Sequence, residues 1–346
     1  MDLKKRITVA KVAGTYIGTV VGAGFASGQE ILQFFVVFGR KGLWGLLTVT
    51  FLFILFGYIA MELGYILKAD NHLPVVRKTG GRILGAFSDI IITFFLFGAL
   101  TAMIAGSGAL FAQEFKLHPL VGSLFMALIS IATVMGGFQG TVDSISFVVP
   151  FLILAAIGLS IASLFVTPVA AVAKELPRSG FLRNWLWSAI LYTSYNSVTA
   201  ISILAPLGRE ANDLKVLRKG ALLGGLGLGL GGLAIFIALY VNSASVVNLE
   251  VPMIFVAGRI SPAIKLLYAV VLLAEIYTTA VSDLYGFTAR ICPKEKSKDF
   301  VIILTTATAF LLSLAGFSNL VRYLYPAVGY CGVLTLMSLI YHKFKP

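Results

Sequence analysis

Apolar stretches of roughly membrane-crossing length, separated by short polar or basic connections, run along almost the whole chain. A helix needs about 20 apolar residues to cross a bilayer. That criterion predicts ten spans, over 7–37, 43–67, 84–113, 119–137, 142–166, 184–207, 219–242, 262–289, 299–316 and 319–341. The first and sixth are less uniformly apolar than the rest. The longest connections, around 167–183 and 243–261, contain PVAAVAKELPRSG and PMIFVAGRI and are expected to form short helices lying on the surface.

The polar residues inside two of these spans interrupt the pattern. Span one carries GAGFASGQE (22–30) between the helical runs VAGTYIGTVV and ILQFFVVF, and span six carries YTSYNSVTAISILAPLGRE. Each shows a polar break, an apolar half-helix and then Gly-Arg, at Gly39-Arg40 and Gly208-Arg209. Ten spans divide into two sets of five, and an odd number per set forces opposite orientations. The predicted fold is therefore an all-α polytopic membrane protein with a five-plus-five inverted repeat, about 7–166 and about 184–341. Interrupted spans at corresponding positions of two halves point to a transporter binding site. Irregular backbone at membrane depth persists only where protein or a watery cavity surrounds it. The carbonyls freed at a break coordinate a cation, and the freed amides attract a carboxylate. Glycine allows unwound backbone and close ligand approach at Gly22, Gly24 and Gly28. Close helix packing through Gly24 and Gly28 is the alternative, and the neighbouring Ser27, Gln29 and Glu30 favour a site. The expected solute contacts are Gly22, Ala23, Gly24, Phe25, Ala26 and Ser27 in span one. Ser194, Tyr195, Asn196 and Ser197 supply the rest from span six.

Composition sharpens the class. The 346 residues are 58% hydrophobic and 12% charged, against about 25% charged in soluble chains, so the chain reads as one transmembrane domain over 1–346. Of its 27 Lys and Arg, 18 fall on the side that holds both termini when the N-terminus is placed inside. That bias predicts cytoplasmic termini in an inner membrane. The net charge of +12 is then a topology signal and an attraction to lipid headgroups, not a sign of nucleic acid. MDLKKR precedes an apolar segment without an A-x-A-like cleavage site, which suggests the start of the mature first helix. Cys292 and Cys331 read as small hydrophobes, and His72, His118 and His342 fall near connections or the C-terminus. No nucleophile–base or metal constellation stands out within the spans, so neither an enzyme nor a cofactor is expected.

Ionisable residues at bilayer depth are functional candidates: Glu30, Glu62, Asp89, Glu275 and Asp283. Glu62 and Asp89 lie near the expected cytoplasmic interface and read as structural or gate residues. Asp143 reads as a solvated or capping acid. Glu30 opens the second half of span one, as a first-turn cap or a substrate contact, and Gln29 or Glu30 is placed to close the outer side. In LLAEIYTTAVSDLYGF of span eight, Glu275, Thr278 and Thr279 share one helical face, and Thr279, Ser282 and Asp283 continue it. Hydroxyls with carbonyls or a carboxylate are hard oxygen ligands for an alkali cation. Hydrogen bonding of the hydroxyls to their own helix is the alternative. GALLGGLGLGLGGLAIF in span seven contains a loose GxGxxG, but no strand precedes it, so packing explains it better. Phe94, Phe95, Tyr192 and Tyr195 are aromatic candidates for a pocket wall, with Tyr195 ranked first.

Residues 18–24, GTVVGAG, resemble the G-x-x-V-G-x-G of span one in sodium-coupled LeuT-type transporters. The longer string GTVVGAGFASGQEILQFF resembles the YkvI-type membrane proteins of the amino acid–polyamine–organocation superfamily. The resemblance implies a LeuT-like fold, with spans one and six broken at a central site and alternating access driven by an ion gradient. Carried over residue by residue, it implies a sodium site on the carbonyls of Gly18 and Val21 and the hydroxyls of Thr278 and Thr279. The Asn-x-x-Arg that follows the motif in LeuT-type chains is missing; Phe25 and then Gly28-Gln29-Glu30 stand there. The expectation is a sodium-coupled symporter of a small organic solute, an amino acid or amine. Proton coupling through Glu275 or Asp283 is the alternative, and a channel or a non-transporting sensor is the alternative class.

Overall fold

The computed structural model describes residues 7–136, 151, 154, 155, 157–163, 165, 166, 180–292 and 298–344. Asp143, most of the fifth predicted span and the connection 167–183 up to residue 179 lie outside the described residues. Every regular element among the described residues is helical. The first predicted span is divided into α1 (Val9–Val20), the single turn α2 (Ala23–Ala26) and α3 (Gln29–Phe34). Next come α4 (Lys41–Leu67), α5 (Leu73–Phe115) and α6 (Pro119–Met135). The second half holds α7 (Trp185–Glu210), α8 (Leu214–Val241), the short α9 (Ser243–Val246) and α10 (Pro252–Ile260). After them run α11 (Pro262–Ile291), α12 (Lys298–Ser313) and α13 (Tyr325–Phe344).

Local chemistry sets several helix starts. Thr8, Asn184, Asp213 and Ser261 accept hydrogen bonds from first-turn amides of α1, α7, α8 and α11, a satisfaction of otherwise orphaned donors. Pro262 sits at the first position of α11, where no amide is missed. Five described helical segments are long and apolar enough to cross a membrane: Lys41–Leu67, Leu73–Phe115, Leu214–Val241, Pro262–Ile291 and Phe317–Lys343. Large apolar side chains such as Trp44, Phe51, Ile83, Ile90, Leu230 and Leu267 are exposed. In water such a belt would aggregate; on a membrane protein it faces lipid. The chain is a multi-pass membrane protein.

The structure corrects two expectations. Span six is not broken: α7 runs without interruption from Trp185 to Glu210, with Pro206 inside it. Its polar residues bond back onto their own helix instead. Thr193 donates to the Ala189 carbonyl (2.9 Å), Asn196 to Tyr192 (3.0 Å) and Thr199 to Tyr195 (3.0 Å), so they need no open backbone to be satisfied. The connection 243–261 does form short helices, but α10 does not lie on the surface. Met253, Ile254, Val256 and Ala257 are buried, and the Met253 amide donates to the Ser27 carbonyl across 2.9 Å.

The span-seven glycines meet other helices. A Cβ on Gly220 or Gly224 would run into Val12 or Tyr16 of α1, and one on Gly225 or Gly229 into Ile54 or Thr50 of α4. The packing reading of that run is the one the geometry supports.

Candidate functional site

The break in span one has two parts. The ladder of α1 stops at the Val21 amide, which donates to the Ile17 carbonyl (2.8 Å). Val21 and Gly22 are then extended (φ −73°, ψ 114° and φ −127°, ψ −175°) before α2 turns. Gly28, at φ 81°, turns the chain a second time, a left-handed conformation that favours glycine. Gly22 uses ordinary extended backbone and faces Thr279. A Cβ there would stand 3.5 Å from Thr279 Cγ2 and 3.6 Å from Thr279 Oγ1. The carbonyls of Gly18, Thr19 and Val20 are the last of α1, beyond its internal ladder.

Helix α11 lies along this break. Near its start, the Tyr268 hydroxyl donates to the Ala26 carbonyl (2.6 Å). Glu275 follows two turns later, 1% exposed, with Oε2 free of any hydrogen-bond partner. Thr278 donates to the Glu275 carbonyl (3.0 Å), which leaves its oxygen lone pairs available. One turn beyond Thr279, Asp283 keeps Oδ2 buried and without a hydrogen bond. The structure thus brings Gly22 and Thr279 side by side, with Glu275 and Asp283 one turn to either side of Thr279 on the same helix.

On the other flank, Glu30 points across to α7. The Tyr195 hydroxyl donates to Glu30 Oε2 across 2.6 Å, so Glu30 is not spent capping its own helix. Its side chain lies against Gly24: a Cβ there would stand 2.8 Å from Glu30 Cδ and Cγ. Phe34, Phe95, Tyr192 and Tyr325 pack around the Tyr195 ring that holds the carboxylate. Ring centroids are 5.7 Å apart for Phe34 and Tyr195, 5.4 Å for Tyr192 and Tyr195 and 5.1 Å for Tyr195 and Tyr325. Phe94, by contrast, is exposed to the lipid side.

The other sequence candidates fall as follows. Gly22 to Ser27 form the broken turn. Ser194 is buried and donates to the Gly329 carbonyl (2.8 Å), while Ser197 is buried with a hydroxyl that makes no hydrogen bond. Gln29 is buried and donates to Ser318 Oγ (2.9 Å), tying the broken span to the last one. Glu62 accepts from Lys343 Nζ (2.5 Å) and from Tyr58 (3.0 Å). Asp89 is held by Arg290 and His72. Both acids are therefore paired with cations from other helices. Sequence reasoning missed Tyr268, Tyr325 and the burial of α10. Tyr268 lies seven residues before Glu275, on the face already singled out, and that spacing was the available signal.

A chain broken once in its first helix, with that break set against a long later helix, is a comparable feature for known folds. No protein-family model matches the chain. It is 29% identical over 341 residues to the uncharacterized membrane protein YkvI of Bacillus subtilis (strain 168), covering 97% of this chain and 96% of that one. The uncharacterized protein YyaD of the same organism is 27% identical over 325 residues, covering 94% of each. Among solved structures, a Na+-coupled sialic acid symporter in a substrate-bound outward-open state superposes with a TM-score of 0.64. The identity is 14%, over 98% of this chain and 79% of the symporter. MhsT in complex with L-phenylalanine gives 0.64 at 15% identity, over 96% and 87% of the two chains. The manganese transporter of Eremococcus coleocola gives 0.61 at 13%, over 95% and 77%. The fold is LeuT-like. Within that fold, the continuous sixth helix α7 is this chain's departure from the doubly broken plan.

Proposed function

We propose that the chain is a sodium-coupled secondary transporter of a small organic solute, an amino acid or amine, in the cytoplasmic membrane with both termini inside. The observation that carries the proposal is the extended Val21–Gly22 segment set against Thr279, with the buried, unpartnered Oε2 of Glu275 one turn away. The cation is taken as cargo by the carbonyls of Gly18 and Val21, the hydroxyls of Thr278 and Thr279 and the charge of Glu275. The solute occupies the broken turn Gly22 to Ser27 and the facing residues of α7. Rocking of the first span with α7 against the remaining helices exposes this centre to each side in turn. The outer side closes through Gln29 and Ser318 and through α10 on Ser27.

Purified protein in liposomes, given radiolabelled amino acids and amines, tests this directly. Uptake is expected to require an inward sodium gradient at clamped pH and to be lost in a Thr278→Ala/Thr279→Ala variant. Sodium is also expected to raise the melting temperature of the wild type, because a ligand bound only by the folded state stabilises it by mass action. Equal stabilisation of the double variant removes the ion site. A second reading, proton coupling, is favoured by one observation, the buried unpartnered oxygens of Glu275 and Asp283. It predicts uptake driven by a pH gradient without sodium and abolished by Glu275→Gln or Asp283→Asn.

A further inference from the structure

Helix α5 turns a corner near its start. Gly81 departs from helical backbone inside it (φ 67°, ψ −163°), a conformation essentially reserved for glycine. The two arms press together beside the corner: a Cβ on Gly85 would stand 2.9 Å from the Cα of Arg77. On the outer side there is room, since nothing lies within 4 Å of a Cβ on Gly81. A cavity of about 480 Å³ is lined there by Arg77 from one arm, Gly81 at the apex, and Arg82 and Ala86 from the other. The Ser338 hydroxyl donates to Thr79 Oγ1 across 3.4 Å, which places the corner at the end of the bundle where α13 finishes.

The charge of this corner is uncompensated. Arg77, Lys78 and Arg82 are all exposed. The ion pairs among the described residues, at Glu62, Asp70, Asp89 and Glu114, draw their cations from other positions. Like charges this close repel one another, and an anion held between the two guanidinium groups relieves that repulsion. Arginine suits phosphate in particular, because its planar fork meets two oxygens at once.

The surface that continues from the cavity narrows the kind of phosphate. Ile83, Phe87, Ile90 and Phe94 follow at intervals of three or four residues, so they share one face of α5. All four are exposed, Ile83 to 88% and Ile90 to 67%. From Ile83 to Phe94 the stripe runs about 16 Å at the helical rise per residue. That is close to the depth of one leaflet of a hydrocarbon core about 30 Å thick. A soluble phosphate gains nothing from such a stripe, whereas an acyl chain covers it.

We propose that the Gly81 corner binds one anionic phospholipid, its phosphate between Arg77 and Arg82 and an acyl chain along Ile83, Phe87, Ile90 and Phe94. The site differs from the general attraction of basic chain ends to anionic membranes in having a cavity, two fixed arginines and a path for the chain.

The test counts retained lipid by native mass spectrometry. Full-length protein, stripped of co-purified lipid, is mixed in detergent with equal amounts of phosphatidylglycerol and phosphatidylcholine of identical chains. The wild type is expected to keep one phosphatidylglycerol at least fivefold more often than one phosphatidylcholine. Arg77→Gln/Arg82→Gln is expected to cut that preference to half or less. Both side chains are exposed and unpaired, and each single variant carries the test if the double variant does not fold. Lys215→Gln/Lys219→Gln removes two exposed charges at the start of α8 and is expected to leave the preference intact. Dihexanoyl phosphatidylglycerol, too short to follow the stripe, is expected to be retained at least fivefold less than the long-chain lipid. The assignment is overturned by a wild-type preference under fivefold, by a double arginine variant that keeps more than half of it, or by a lysine variant that loses as much. Equal retention of the short-chain lipid, or displacement of the long-chain lipid by millimolar inorganic phosphate, would mark a soluble-phosphate site and overturn it too.

Discussion

His72 lies just before α5, buried, with Nε2 3.0 Å from Asp89 Oδ1. Burial holds its pKa below the ordinary histidine value, the hydrogen bond to Asp89 opposing and the Arg290 charge adding to the fall. The folded state therefore binds this proton less tightly than the unfolded chain does. By linkage, the contribution of His72 to stability is present above the unfolded value of about 6.5 and lost as pH falls through it. Melting temperature is expected to fall between pH 7.5 and 5.5 by more in the wild type than in His72→Gln. A difference between the two proteins that stays constant over this range would show that His72 does not titrate in this way. The same site shows how far single residues can be read from sequence. Asp89 and Glu62 stand out as acids in apolar runs, and the structure pairs both with cations from distant helices. Their partners, Arg290 and Lys343, are hidden in the sequence because nothing local links residues 201 or 281 positions apart.

Helices α4 and α7 meet backbone to backbone. A Cβ on Gly64 would stand 2.7 Å from the Cα and carbonyl carbon of Ala205, and one on Gly208 2.8 Å from the carbonyl carbon of Met61. Neither obstacle is a side chain that can rotate away. Gly64→Ala and Gly208→Ala are each expected to cost about 1–3 kcal/mol through forced separation of the helices. Gly14→Ala is the control: nothing lies within 4 Å of the added methyl, and alanine in a helix is worth up to about 1 kcal/mol over glycine. Thermal melts of the three variants in one detergent check this, and melting of all three within a degree of the wild type would contradict the close contact. Element by element, the break of span one is legible in GAGFASGQE, since clustered glycines and polar residues in an apolar run leave the helix without intrinsic support. YTSYNSV looks equally polar yet stays helical. It lacks glycine, and its Thr and Asn side chains are long enough to return to the preceding turn. Polarity alone does not break a membrane helix; polarity with backbone freedom does.

At the scale of the molecule, one end of the bundle is closed by a segment that belongs to no span. Residue Glu250, just ahead of α10, reaches the start of the last helical segment: a Cβ on Gly316 would stand 3.3 Å from its Oε1. Val251 and Gln113 exchange a pair of bonds, at 3.1 and 3.3 Å, and Met253 reaches Ser27. Three separate parts of the chain are thus fastened over the broken turn. Opening this side must release α10 and return Glu250 to water. In the closed state, burial raises the Glu250 pKa above its ordinary value, and hydrogen bonding to the Ser318 and Phe317 backbone only partly offsets that rise. Closure therefore favours the protonated acid, and the closed population is expected to grow as pH falls through the range just above the usual glutamate value. Glu250→Gln, always neutral, is expected to stay closed at every pH. Spin labels at Asn248→Cys and Tyr323→Cys, both exposed positions, in a background without Cys292 and Cys331, report the separation without titrating themselves. The labelled wild type should shift toward the longer distance as pH is raised from 4.5 to 7.5, and the Glu250→Gln protein should not. A shift in the opposite direction would mean that backbone hydrogen bonding to the charged carboxylate outweighs its burial. The latch would then be one that acid opens.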